Sequence, residues 1–194
     1  KAINRIHSPE LISSFITPDL RKCSVNFDLI YGLPQQTRES LKSTIQEVKK
    51  MAPDRISLYN YDHTPGIHSH MHFLDKYDIP TVDLKTQMYL DSVQDLLENG
   101  YEWIGIDHFS KETDKLAKAA KGRTLGRNLN GYTTDRTYDV ELGLGPSSIG
   151  CFGRFYAQSI KTLPEYYQAL DAGKFPILRG YRLTDDDIIR RDVI

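Results

Sequence analysis

The stretch from Val25 to Tyr61 constrains the fold more than any other part of the chain. VNFDLIY (25–31) is a near-continuous apolar and β-branched run, the composition of a parallel strand buried on both faces. Thr37 then caps a helix, and Leu41, Ile45 and Val48 recur at spacings of four and three, which lines them along one face. Pro53 ends that helix, and RISLYNY (55–61) reads as the next strand. A strand, a helix and a strand within about 35 residues form a βαβ unit, with parallel strands and a right-handed crossover.

The alternation continues. Pro80 and Thr81 open a longer helix with Leu84, Met88, Val93 and Leu97 facing inward, stopped at Asn99-Gly100. EWIGIDHF (102–109) reads as a third strand. A looser region follows, with glycines at 122, 126, 131, 143, 145, 150 and 153, and then a short helix from Pro164 to Gly173. Thr184 with Asp187 makes a capping box, and Ile189 and Val193 begin the apolar stripe of a last helix. Such β/α order implies part of a barrel or of an open parallel sheet, where ligands gather at the carboxyl ends of strands. The first residue is Lys1, and the last helix runs out uncapped, so the chain reads as a segment of a longer protein.

Charge and cysteine content exclude several functions. A net charge of -1 gives no pull toward nucleic acid, and no apolar run approaches the roughly 20 residues of a membrane span. Cys23 and Cys151 are the only cysteines, which is no disulfide framework and fits a reducing cytoplasm. Two thiols are also too few to build an iron–sulfur or zinc site from this chain alone.

Candidate residues cluster at strand ends. Asp28 stands inside the first strand, where a buried charge is costly unless paired. It either accepts hydrogen bonds from a ligand or serves as a structural carboxylate, and residue chemistry leaves both open. Gly32-Leu33-Pro34 turns the chain after it. Asp62-His63 and Asp107-His108 offer acid–base pairs or metal ligands. His68, His70 and His72 alternate and would share a face on an extended segment. Alternation alone specifies no coordination geometry, so a polar loop is the better reading. Lys115, Lys118, Lys121 and Arg123 form either an anion-binding patch or, more simply, a solvated helix face. Tyr132 is a candidate proton donor.

Several motifs together resemble one family. They are KAINR (1–5), FDLIYGLPQQT (27–37), PDRISLYNYDH (53–63), GIDHF (105–109), RNLNGYTT (127–134), LGLGPSSI (142–149) and RGYRLTDDDIIRRDVI (179–194). With these the chain is similar, along essentially its whole length, to the oxygen-independent coproporphyrinogen III dehydrogenases (oxidases) of haem biosynthesis. These are oxidoreductases of the radical S-adenosylmethionine superfamily. The resemblance implies oxidative decarboxylation of two propionates of coproporphyrinogen III to vinyls, giving protoporphyrinogen IX. It implies a [4Fe-4S] cluster and two S-adenosylmethionine molecules per protein, an electron donor for the cluster, and a cytoplasmic monomer without nucleic-acid or membrane partners. The family's CxxxCxxC cluster motif is not in this sequence.

By the same resemblance the fold class is α/β, the C-terminal part of a partial (β/α)6 barrel with a following α+β segment. Residues 1–100 would hold the last barrel strands, 101–183 a family-specific extension, and 184–194 the start of a helical domain. Arg5, Asp28 and Asp62 would contact the second S-adenosylmethionine, Ile149 the first, and Arg127 a substrate propionate. Three positions depart from the family pattern: Asp62 replaces a small residue, Gly126 a histidine, and His7 a glutamine. Two other readings are a radical-enzyme-like haem chaperone and a metal-dependent hydrolase built on the Asp-His pairs.

Overall fold

The structure is a computed structural model that describes residues 8–128, 131–135 and 140–193. The chain divides into two compact units, with the boundary between 135 and 136.

The first unit contains α1 (Pro9–Phe15), β1 (Asn26–Tyr31), α2 (Arg38–Met51), β2 (Arg55–Asn60) and α3 (Val82–Glu98). It continues with β3 (Tyr101–Gly105), β4 (His108–Lys111), α4 (Lys115–Lys121), β5 (Gly126–Asn128) and β6 (Gly131–Thr133). The βαβ unit forms as its sequence requires. Thr37 and Ser40 cap α2 reciprocally, at 3.2 Å from the Ser40 amide to Thr37 Oγ1 and 3.0 Å from the Thr37 amide to Ser40 Oγ. The helix ends at Met51, where Ala52 turns left-handed ahead of Pro53. Strands β1 and β2 are parallel, with Asp28 opposite Ser57.

Leu41, Ile45 and Val48 from α2 and Met88, Val93 and Leu96 from α3 pack onto Ile56, Leu58, Tyr101 and Phe109. Phe109 is fully buried at the centre of this layer. Phe109→Ala is expected to cost about 3–5 kcal/mol, seen as a lower urea midpoint at an unchanged slope. A loss under about 1 kcal/mol would mean that the layer is not the core.

Three expectations need correction. Strand β1 is not buried on both faces: Phe27, Leu29 and Tyr31 meet the core, whereas Asn26, Asp28 and Ile30 are exposed. It lies at the edge of the sheet, whose order is β1-β2-β4-β3, and the core contributed by α2 and α3 lies on one face. Residues 102–109 are not one strand but the hairpin β3–β4, with β4 inserted antiparallel beside β2. The chain reverses at Ile106, which has a φ of 45°. Its carbonyl accepts hydrogen bonds from the Tyr89 hydroxyl and from Trp103 Nε1, the latter at 3.1 Å. In α3 it is Leu96, not Leu97, that turns inward, because position 97 lies about two and a half turns from Met88 and so on the opposite face. The last helix lies in the second unit.

That unit is an antiparallel sheet of order β10-β9-β8-β7 with two helices. Its elements are β7 (Val140–Glu141), β8 (Ile149–Phe152), β9 (Phe155–Ser159), α5 (Leu163–Asp171), β10 (Ile177–Arg182) and α6 (Asp185–Val193). The Thr184–Asp187 capping box forms, at 2.8 Å from the Thr184 amide to Asp187 Oδ2 and 3.2 Å from the Asp187 amide to Thr184 Oγ1. Ile189 and Val193, four apart along it, are exposed.

Candidate functional site

Side chains alternate along a strand, so the residues between the core positions of β1, β2 and β4 share the opposite face. Register decides which of them become neighbours. Asp28 pairs with Ser57, and Ser57 with His108, so three polar residues form a row across three strands. Adjacent strands stand about 4.8 Å apart. Asn26 Nδ2 donates to Asp28 Oδ1 at 2.7 Å, and Ser57 Oγ donates to Asn26 Oδ1 at 3.3 Å. Asp28 therefore sits in a strand at little cost, because it lies on the face that α2 and α3 leave uncovered. Its carboxylate is oriented by Asn26 and exposed to a ligand's hydroxyl or ammonium group.

The β3–β4 turn carries the second element of the site. His108 Nδ1 lies 2.6 Å from Asp107 Oδ1, and both side chains are largely buried. Burial first, and then the Asp107 charge, raises the Tyr31 phenol above its ordinary value. The His108 ring meets Tyr59 and Tyr132 edge-on, with centroids 6.2 and 5.3 Å away. The Arg127 guanidinium lies 5.5 Å from the Tyr132 centroid. A glycine makes this contact possible: Gly131 has a φ of 139°, and a Cβ there would come within 2.8 Å of His108 Nε2.

Asp62, exposed, follows the end of β2. Beside it, His63 Nε2 and His72 Nδ1 share Asp75, at 2.8 and 2.9 Å. The hydrogen bond from His72, then that from His63, holds the Asp75 carboxyl below its ordinary value. Ser69–Leu74 is a 3-10 helix, so the three alternate histidines do not share an extended edge. Among the described residues, no three His, Cys, Asp or Glu side chains are placed to hold a metal ion. In α4, Lys115 and Lys118 are exposed, while Lys121 pairs with Glu102 and Glu112 at 2.7 and 2.8 Å. This is a solvated helix face.

Arg5 and His7 lie outside the described residues. Ile149, the first residue of β8, belongs to the second unit and is 36% exposed. Asp28, Asp62 and Arg127 belong to the first, and no hydrogen bond or ion pair joins them among the described residues. A zwitterionic, ribose-bearing ligand fits an exposed Asn26–Asp28 pair, which presents acceptors to hydroxyl and ammonium groups. A [4Fe-4S] cluster does not fit this chain's own side chains: Cys23 is exposed in the first unit and Cys151 lies in the second. Sequence reasoning missed Asn26 and Ser57. The two-residue strand period counted back from Asp28 would have found the first, whereas the second depends on register.

No protein-family model matches the chain. Over its entire length the chain is 40% identical to the oxygen-independent coproporphyrinogen III oxidase of Escherichia coli (strain K12) and 38% identical to that of Helicobacter pylori (strain ATCC 700392 / 26695), covering 43% of each. The corresponding protein of Synechocystis is 39% identical, with 42% of its length covered. Among solved structures, coproporphyrinogen III oxidase from Escherichia coli, described as a radical SAM enzyme, matches 99% of this chain. The TM-score is 0.89 at 39% identity, and 44% of that protein is covered. The chain thus spans less than half the length of the curated relatives it matches.

Proposed function

We propose that the chain forms part of an oxygen-independent coproporphyrinogen III dehydrogenase. In that reading the whole enzyme converts two propionates of coproporphyrinogen III to vinyls, giving protoporphyrinogen IX, within haem biosynthesis. The first unit would supply the last strands of a partial (β/α)6 barrel, and the face of its sheet opposite α2 and α3, exposed at Asp28, would line the reaction chamber. The observation that carries the reading is the exposed, Asn26-oriented Asp28 on that face, in a chain whose full length resembles these enzymes. Asp28, with Arg5 and Asp62, serves a second S-adenosylmethionine, Ile149 covers the first, and Arg127 holds a propionate. A [4Fe-4S] cluster would be held by residues other than this chain's two cysteines, and together with S-adenosylmethionine it would supply the oxidising chemistry. An electron donor for the cluster is part of the same reading, as are a monomeric state and a cytoplasmic location.

Asp28→Ala in the complete enzyme should weaken the second S-adenosylmethionine by about 1.5–3 kcal/mol, the usual worth of a hydrogen bond to a charged group. Equilibrium binding with labelled cofactor measures this. Two sites of unchanged affinity in the variant would refute the role of Asp28.

A further inference from the structure

We infer that Lys85 is a positioning residue for the second S-adenosylmethionine: laid across Gly32, it holds the Tyr61–Asp62 peptide so that the Asp62 N–H is offered to the cofactor. The inference rests on the reading above that Asp62 serves that molecule, and it names what sets the geometry there.

The place of Lys85 follows from how the β1–β2 ladder ends. Pairing is parallel up to Tyr31 and Asn60, and the Tyr61 amide still donates to the Tyr31 carbonyl at 2.8 Å. One more step of the ladder would give the Tyr61 carbonyl the amide of Leu33. Gly32, with a φ of 77°, turns the chain away instead, and the Leu33 amide donates to Gln36 Oε1 at 3.1 Å. Tyr61 is buried, so its carbonyl needs another donor. Lys85 Nζ supplies it at 2.8 Å.

Gly32 also makes room for that donor. A Cβ on it would come within 2.8 Å of Lys85 Cε and 2.9 Å of Cδ, so the lysine stem runs over the glycine. The ammonium lies 5.9 Å from the Tyr61 ring centroid as well. Helix energetics do not call for a lysine here, because Lys85 stands near the amino end of α3, where the dipole disfavours a cation. Nor does an ion pair, since among the described residues no carboxylate pairs with it.

The clamp fixes a peptide at a ligand-binding position. Tyr61 and Asp62 follow the carboxyl end of β2, where β/α sheets gather ligands. A trans peptide is planar, and its N–H points away from its C=O. Anchoring the Tyr61 oxygen on Lys85 therefore aims the Asp62 N–H in the opposite direction. Asp62 is exposed, and its amide donates to no protein group among the described residues. An exposed N–H on an anchored peptide suits the carboxylate and ribose oxygens that S-adenosylmethionine carries. Lys85 acts through this peptide.

Equilibrium binding of labelled S-adenosylmethionine to the complete holoenzyme, kept anaerobic, tests this. Lys85→Met keeps the stem and removes the donor. It should raise the Kd of the second site about tenfold, as for loss of a hydrogen bond to a charged group, and leave the first site unchanged. Lys85→Arg restores a charged donor and should bring the second site back to within about threefold of the wild type. Gly32→Ala should weaken the second site with the lysine still present, because the added methyl displaces the stem. If Lys85→Met fails to fold, Lys85→Gln decides, its amide being one bond too short to reach the Tyr61 oxygen. Unchanged second-site affinity in the deciding variant overturns the inference. An equal loss at both sites also overturns it, by marking a lysine that serves the fold alone. A wild-type holoenzyme that takes up only one S-adenosylmethionine would instead defeat the two-cofactor reading beneath it.

Discussion

By itself, the 194-residue chain is expected to develop no [4Fe-4S] absorption after anaerobic reconstitution, and to release no deoxyadenosine from S-adenosylmethionine with dithionite. Such clusters are held chiefly by cysteine thiolates. The chain has two cysteines, one exposed ahead of β1 and one in β8, in different units. Histidine substitution is a poor remedy, because His63 and His72 are already tied to Asp75. Strand β1 also has a free edge within the described sheet, which favours association of the isolated chain. The expected effect is a complete absence of cofactor cleavage. Stoichiometric deoxyadenosine from this chain alone would overturn the assignment of the cluster to another part of the enzyme.

A loss of stability as large as that of Phe109→Ala is expected from Asp114→Ala, at about 3–5 kcal/mol, the cost of breaking a buried ion pair on one side. The Asp114 side chain is 2% exposed. Its Oδ1 accepts from Arg55 Nε at 2.9 Å and from the Leu116 amide at 2.7 Å, and its Oδ2 accepts from Ser24 Oγ at 2.7 Å. One carboxylate therefore caps α4, neutralises β2 and anchors the segment leading into β1. Burial pushes this carboxyl upward, but the Ser24 hydroxyl, the Leu116 amide and the Arg55 guanidinium outweigh it, and the net shift is downward. A folded value below the unfolded one means that the stabilisation is complete above the unfolded value of about 3.9. It is lost as pH falls through the folded value. Urea midpoints of the wild type should thus decline below about pH 4, and Asp114→Ala should flatten that decline while lowering the midpoint at neutral pH. A variant as stable as the wild type at pH 7 would show that Arg55 finds solvent without penalty.

Much of the fold was legible because its signals are local. Thr37 caps α2 with its own side chain, and Ala52-Pro53 stops it. The α2 stripe Leu41, Ile45 and Val48 reaches the core because a helix repeats every 3.6 residues whatever surrounds it. The break between β3 and β4 was not legible. It depends on Ile106 adopting a positive φ while Tyr89, seventeen residues earlier on α3, donates to its carbonyl. Sequence also mistook β1 for a strand covered on both sides, since an apolar run does not say how many layers a segment of chain will meet.

The candidate site divides along the same line. Asp28, Asp107, His108, Arg127 and Tyr132 each stand out in the sequence by residue type and motif, and helix and strand periods say which way many side chains turn. Their neighbours are another matter. Asp28 stands beside Ser57 and His108 only through the register of β1 on β2 and of β4 on β2, and His108 meets Tyr132 only because Gly131 leaves room above the imidazole. Identity and local conformation follow from short-range sterics and hydrogen bonding, which the sequence by itself determines. Which of these groups touch was decided by long-range strand pairing, whose register depends on the packing of the whole sheet.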